Sequence, residues 1–95
     1  MTYYKHKRKQ ELRMIYDIPL IEVKSSVFMA VGYEQISETL RVVFISGSEY
    51  RYTGVPIQVY RNLCNAESMG KEFNRTIRNK YDSTVVQVLN VARKA

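Results

Sequence analysis

Ninety-five residues, 45% hydrophobic and 25% charged, make a chain the size of one small domain and exclude a wholly disordered or collagen-like one. The net charge of +6 sits at the ends: residues 1–13 carry +4, the last six carry +2, and residues 14–89 sum to zero. Cys64 is the single cysteine, which excludes an internal disulfide and points to a reducing, cytoplasmic setting. No apolar run approaches the roughly 18 residues of a membrane span, and no apolar stretch of a signal peptide follows the basic start.

Residues 1–13 show neither helical nor strand periodicity and read as a basic mobile arm, leaving 14–95 as the domain. Between Met14 and Val23 the apolar Ile15, Ile18, Leu20, Ile21 and Val23 surround Pro19, which fits an edge strand or an extended lead-in. Three strands follow. In Val27–Tyr33 the residues Val27, Met29, Val31 and Tyr33 alternate onto one side; Leu40–Ile45 is rich in branched residues; Glu49–Thr53 alternates Tyr50 and Tyr52 with Arg51 and Thr53. The polar stretch 34–38 and the hairpin signal Ser46-Gly47-Ser48 separate them, so an antiparallel meander is the simplest connection.

Gly54-Val55-Pro56 ends the sheet, with Pro56 suited to the first turn of a helix. On a helical wheel Ile57, Val59, Tyr60, Leu63, Cys64 and Ala66 share one half, which puts Cys64 on the apolar face as a buried thiol. Ser68 caps a second helix with the stripe Met69, Phe73, Ile77 and Tyr81. The run Val85–Val91 fits a strand or a short helix, and its valine content favours the strand. The fold class is therefore α+β: a three- to four-stranded antiparallel meander followed by two amphipathic helices, with an extra C-terminal strand as the expected ending.

The residue counts speak against catalysis. His6 and Cys64 are the only nitrogen and sulfur ligands, short of the three or four a zinc site takes from the protein. Neither Cys64 nor any serine has a base, since His6 lies in the arm, and the four glycines are scattered rather than gathered into a phosphate loop. No metal or cofactor is expected.

Two constellations suit binding. Tyr50 and Tyr52 share one face of their strand, and two rings on an open sheet face can stack bases; the alternative is that they pack beneath the helices. Register decides. A three-residue hairpin loop with Gly47 left-handed sets Tyr50 and Tyr52 opposite Val42 and Leu40, whereas a two-residue loop sets them on the Val43/Ile45 face. On the second helix, Lys71, Arg75 and Arg78 fall within an arc of about 60° opposite Phe73, either to track phosphates or as a solvated outer face.

In order and spacing, Ser25-Ser26, Val31-Gly32-Tyr33, Leu40, Phe44, Gly47, Tyr50-Arg51-Tyr52 and Gly54-Val55-Pro56 resemble the KTSC domain. Tyr60, Leu63, Ala66, Ser68, Gly70, Phe73-Asn74, Ile77 and Tyr81 continue the resemblance, which covers residues 24–81. Glu67 and Met69 depart from it, standing where the family often has proline and a basic residue. The family is named for a segment at the C-terminus of some lysyl-tRNA synthetases and also occurs in small bacterial and phage-type proteins. The resemblance implies a small sheet-plus-helix domain and RNA binding.

The sequence thus leads to a non-catalytic nucleic-acid-binding accessory domain with RNA as partner. Lys5, Lys7, Arg8 and Lys9 of the arm and Lys71, Arg75 and Arg78 of the helix would meet phosphates, and Tyr50 and Tyr52 would stack bases. One alternative is a protein-interaction or phage-type effector module that pairs an edge strand or its C-terminal run with a protein partner or a second copy. Another is a binder of a small anionic nucleotide. No membrane partner is expected.

Overall fold

The computed structural model describes residues 17–87, where the valine-, isoleucine- and tyrosine-rich segments are strands and the two runs of helical periodicity are helices. One antiparallel sheet takes its five strands in sequence order: β1 (Ile21–Glu22), β2 (Phe28–Glu34), β3 (Thr39–Phe44), β4 (Glu49–Thr53) and β5 (Asp82–Gln87). Two helices, α1 (Ile57–Asn65) and α2 (Met69–Thr76), lie between β4 and β5 in the chain. The α+β class, the edge strand β1 after the proline-containing lead-in and the C-terminal strand are all as the sequence implies. Residues 1–13 of the arm and 88–91 of the expected strand lie outside the described residues.

The β3–β4 hairpin settles the register. Phe44 N–H donates to the Ser48 carbonyl at 2.9 Å and Gly47 N–H to the Phe44 carbonyl at 2.8 Å, closing a three-residue loop, Ile45-Ser46-Gly47. Gly47 has φ +100°, the left-handed value that such a loop needs at its last position. Tyr50 consequently pairs with Val42, and Tyr52 with Leu40. Leu40 and Val42 are fully buried, so the tyrosines share the face that carries the core.

That core fills the space between one face of the sheet and the helices: Phe28, Val31, Leu40, Val42 and Tyr52 from the strands meet Leu63, Met69, Phe73 and Ile77. Phe73 is its hub, with ring centroids 5.1 Å from Phe28, 5.9 Å from Phe44 and 5.4 Å from Tyr52, all edge-to-face. Such pairs add about 0.5–1.5 kcal/mol each beyond the area they bury.

In β2 the expected alternation of Val27, Met29, Val31 and Tyr33 is corrected. Phe28 pairs with Phe44 but Ala30 pairs with Val43, so β2 holds one extra residue there, a β-bulge. The bulge switches phase within the strand: Phe28 faces the core before it, Val31 and Tyr33 after it, and Met29 is left 47% exposed.

Pro56 stands one place earlier than its expected position, as the residue before α1, in extended conformation. In α1 only Leu63 is fully buried; Val59 and Tyr60 pack partly, and Tyr60 stacks on Tyr33 at 5.0 Å. Cys64 is exposed, a correction to the wheel: α1 buries a stripe narrower than half its circumference, and position 64 falls past its edge. At α2 the expected cap is present, with Ser68 Oγ accepting from Lys71 N–H.

The second face of the sheet carries a strap. Residues 17–19 cross it so closely that a Cβ on Gly32 would overlap the Pro19 carbonyl oxygen. Arg51 binds Asp17 at 2.5 Å, Arg41 binds Glu49 through Nε at 2.5 Å, and Arg41 also donates to the Ile18 carbonyl. The Arg51 guanidinium holds the Asp17 carboxyl below its ordinary range. Among the described residues, no helix is long and apolar enough to cross a membrane.

Candidate nucleic-acid interface

The sequence places Tyr50 and Tyr52 side by side on β4, and the hairpin register turns both toward the helices. Their ring centroids are 6.4 Å apart and nearly parallel. Their environments differ. Tyr52 is 7% exposed and wedged against Phe73, so its ring face is core; the expected stacking of a base on Tyr52 is corrected on this point. Tyr50 lies nearer the edge of the helical layer, half-buried, with its ring edge-on to Phe44.

Beside Tyr50 a cleft of about 580 Å³ opens, lined by residues of the sheet, the β3–β4 hairpin, α2 and the turn after it. Its floor is aromatic: Phe44, Tyr50, Tyr52 and Phe73. Along one wall α2 and the turn after it contribute Gly70, Asn74, Arg78, Asn79 and Tyr81. The rim is made of small hydroxyl residues, Ser46 and Ser48 from the hairpin and Ser83 from β5. Ser83 pairs with Tyr52 across the strands, so a short side chain faces the buried ring.

Several local features place the wall residues. Ile77 and Arg78 N–H both donate to the Phe73 carbonyl at 2.9 Å, which ends α2, and Lys80 N–H returns to the Ile77 carbonyl at 2.9 Å. Asn79 sits inside this turn at φ +62°, a left-handed conformation that asparagine tolerates better than most residues. Gly70 lets α2 lie close on Val27, the residue before β2: a Cβ there would come within 2.7 Å of Val27 Cγ2.

Arg78 lines the same cleft. Burial raises the Tyr52 phenol above its ordinary value, the neighbouring Tyr50 adds to this, and the Arg78 guanidinium partly opposes it. Arg78 Nη1 also donates to Asn74 Oδ1 at 3.3 Å. Among the described lining residues there is no carboxylate, so the cleft carries a cation with no internal counter-charge.

Lys71 and Arg75 on α2 meet solvent as the wheel implies; Arg78 is exposed too, but α2 ends at Thr76 and Arg78 stands in the turn after it, a correction to the wheel. Arg75 is paired with Glu72 at 2.9 Å on the same helix, which offsets part of its charge. Lys71 and Arg78 form no ion pair among the described residues. Lys5, Lys7, Arg8 and Lys9 lie outside the described residues.

The fold brings Tyr50, Tyr52 and Arg78 together at one cleft, with Lys71 and Arg75 on the helix surface beyond it. The sequence does not single out Tyr81, Asn74, Asn79 or Ser83 as parts of a site. Tyr81 reads as the last member of the α2 apolar stripe, but α2 ends at Thr76 and a turn containing the left-handed Asn79 comes between. The signal that could have found it is Asn79 itself, a helix-ending residue just before a tyrosine.

Comparison with known proteins places this architecture among relatives. The family model of the KTSC domain matches residues 24–81. A lysine–tRNA ligase of Nostoc punctiforme is 40% identical over 70 residues, which are 74% of this chain and 12% of that ligase. An uncharacterized protein of Stutzerimonas stutzeri is 36% identical over 58 residues, 61% of this chain and 82% of the relative. The crystal structure of a KTSC domain protein from Yersinia pestis superposes with a TM-score of 0.71 at 27% identity, covering 74% of this chain and 99% of that one. The chain thus spans only a small part of the ligase and most of the two small proteins.

Proposed function

The chain belongs to the KTSC domain family, and from that premise we propose that it is a non-catalytic, nucleic-acid-binding accessory domain with RNA as its partner. The observation that carries the reading is the joining of an aromatic cleft free of carboxylates, among its described lining residues, to an exposed cationic helix face. Phosphates are strong anions held by arginine and lysine, and bases offer flat faces to aromatic rings. Arg78 and Lys71 serve the phosphates first, Arg75 less because Glu72 competes for it, and Lys5, Lys7, Arg8 and Lys9 extend the cationic track. Tyr50 supplies the ring platform, and Tyr52 supports it from beneath. That relatives include lysine–tRNA ligases, proteins named for a tRNA substrate, agrees with this partner. The setting is the cytoplasm, where an exposed lone thiol such as Cys64 stays reduced.

Fluorescence anisotropy with a labelled RNA tests the reading across about 50 to 200 mM salt. Log affinity should fall linearly with log salt. Replacing Lys71 and Arg78 by alanine should flatten the slope by about 0.7 for each phosphate of a single strand that is no longer neutralised. Affinity indifferent both to salt and to these substitutions refutes the proposal.

One observation favours the protein-interaction alternative. β5 is an edge strand, and Val85 and Val86 on it are 49% and 44% exposed, an arrangement suited to pairing with another strand. Light scattering with and without RNA separates the readings: a stable oligomer that ignores RNA supports edge pairing.

A further inference from the structure

We infer that the cleft receives one unpaired nucleotide of a single-stranded RNA, with its base against Tyr50 and Tyr81 and its phosphate on Arg78. The inference rests on the RNA-binding reading above and specifies which form of RNA the site accepts.

Size and shape come first. A volume of about 580 Å³ lies within the ordinary range of small-molecule sites and leaves room for a base with its sugar. Within a duplex both faces of a base are covered by stacking and its pairing edge is occupied, so paired RNA has no base to insert.

The chemistry of the lining narrows the occupant further. A purely apolar segment would strand the guanidinium and two amides against groups unable to bond them. A nucleotide satisfies all three kinds of group at once: ring faces for the aromatic floor, edge atoms for the amides, and phosphate for the cation. Because Asn74 Oδ1 already accepts from Arg78, the amide nitrogen of Asn74 remains to donate to a base carbonyl. Asn79 is held at φ +62° by the closed turn behind it, so its position is fixed before any ligand arrives. Lys71 lies near the start of α2, on its exposed surface, where it can take a flanking phosphate as the strand leaves the cleft.

Anisotropy titrations of the full chain with labelled hexauridylate, hexaadenylate and a blunt-ended RNA duplex test this. At least one single strand should bind about tenfold tighter than the duplex, the size of a single base–aromatic stack. Tyr81→Ala should remove about that factor and Tyr81→Phe should retain it, with thermal unfolding measured alongside. Should Tyr81→Ala fail to fold, photo-cross-linking a thiouridine-substituted hexamer to the unaltered chain gives the answer. Adducts on the peptides carrying Tyr50 or Tyr81 support the inference; adducts confined to other surfaces overturn it. A duplex bound as tightly as single strands, with Tyr81→Ala neutral and Lys71→Ala still weakening, overturns the inference but leaves the RNA-binding reading standing. Failure of every RNA to bind overturns both.

Discussion

Replacing Tyr52 by alanine tests whether this ring is a platform or a part of the interior. The ring is 7% exposed, meets Phe73 edge-to-face at 5.4 Å and lies 6.4 Å from Tyr50. Truncating a buried aromatic to alanine costs about 3–5 kcal/mol, because transfer free energy is lost and a cavity remains. The edge-to-face partnership with Phe73 disappears as well, which argues for the upper half of that range. A domain of this size has only about 5–14 kcal/mol of stability in total. At about 4–8 °C per kcal/mol, a loss of about 4 kcal/mol should lower the melting temperature by at least about 16 °C. Tyr52→Phe keeps the ring and loses only the hydroxyl, so it should stay within about 1.5 kcal/mol of the parent. Urea unfolding followed by circular dichroism measures both. If Tyr52→Ala costs less than about 1 kcal/mol while Tyr50→Ala costs more, the assignment of Tyr52 to the interior and Tyr50 to the cleft edge is refuted.

Much of the fold is legible because it follows from local rules. Pro19 keeps the lead-in out of a central strand, Gly47 permits a left-handed loop residue, Ser68 caps a helix, and the Met69-Phe73-Ile77 stripe points inward. Where local rules fail, non-local geometry has changed a local phase. The β2 bulge is a property of the β2–β3 pair, so alternation within Val27–Tyr33 alone selects Met29 over Phe28. Cys64 is misplaced because a wheel shows which residues are apolar but not how wide a stripe the sheet can cover.

The candidate site divides in the same way. The exposure of Lys71 and Arg75 on α2 is readable from helical spacing, whereas Arg78 owes its place to the turn that follows α2. Whether Tyr50 and Tyr52 are open or covered depends on a one-residue choice of loop length, which alternation cannot make because apolar residues occupy both faces at the hairpin end of β3, Val42 and Phe44 on one and Val43 on the other. The strap is not legible at all: Asp17 and Arg51 meet across 34 residues of sequence, and nothing near Asp17 marks it as the partner of a strand arginine.

Three further perturbations probe other parts of the structure. Gly32→Ala should destabilise the domain by about 1–3 kcal/mol in urea unfolding, since the new methyl must displace the Pro19 backbone; an unchanged midpoint would show that the strap does not lie on this face. For Asp17, the bond from Arg51 lowers the folded carboxyl below its ordinary value of 3.8, so its contribution is present above that pH and is lost as pH falls through the lower folded value. Urea midpoints of the parent should therefore drop more steeply below about pH 4 than those of Asp17→Asn, by a modest amount because the pair is partly solvated; parallel profiles would argue against the ion pair. Ser83→Val addresses the cleft itself. Ser83 is exposed on an edge strand opposite Tyr52, where a branched side chain has better strand propensity and covers more of the aromatic floor. Melting temperature should hold or rise slightly, while affinity for single-stranded RNA falls, the usual opposition between a filled surface and a working one. If stability rises and RNA affinity is untouched, the nucleic acid binds elsewhere, and the small side chain at position 83 serves no ligand.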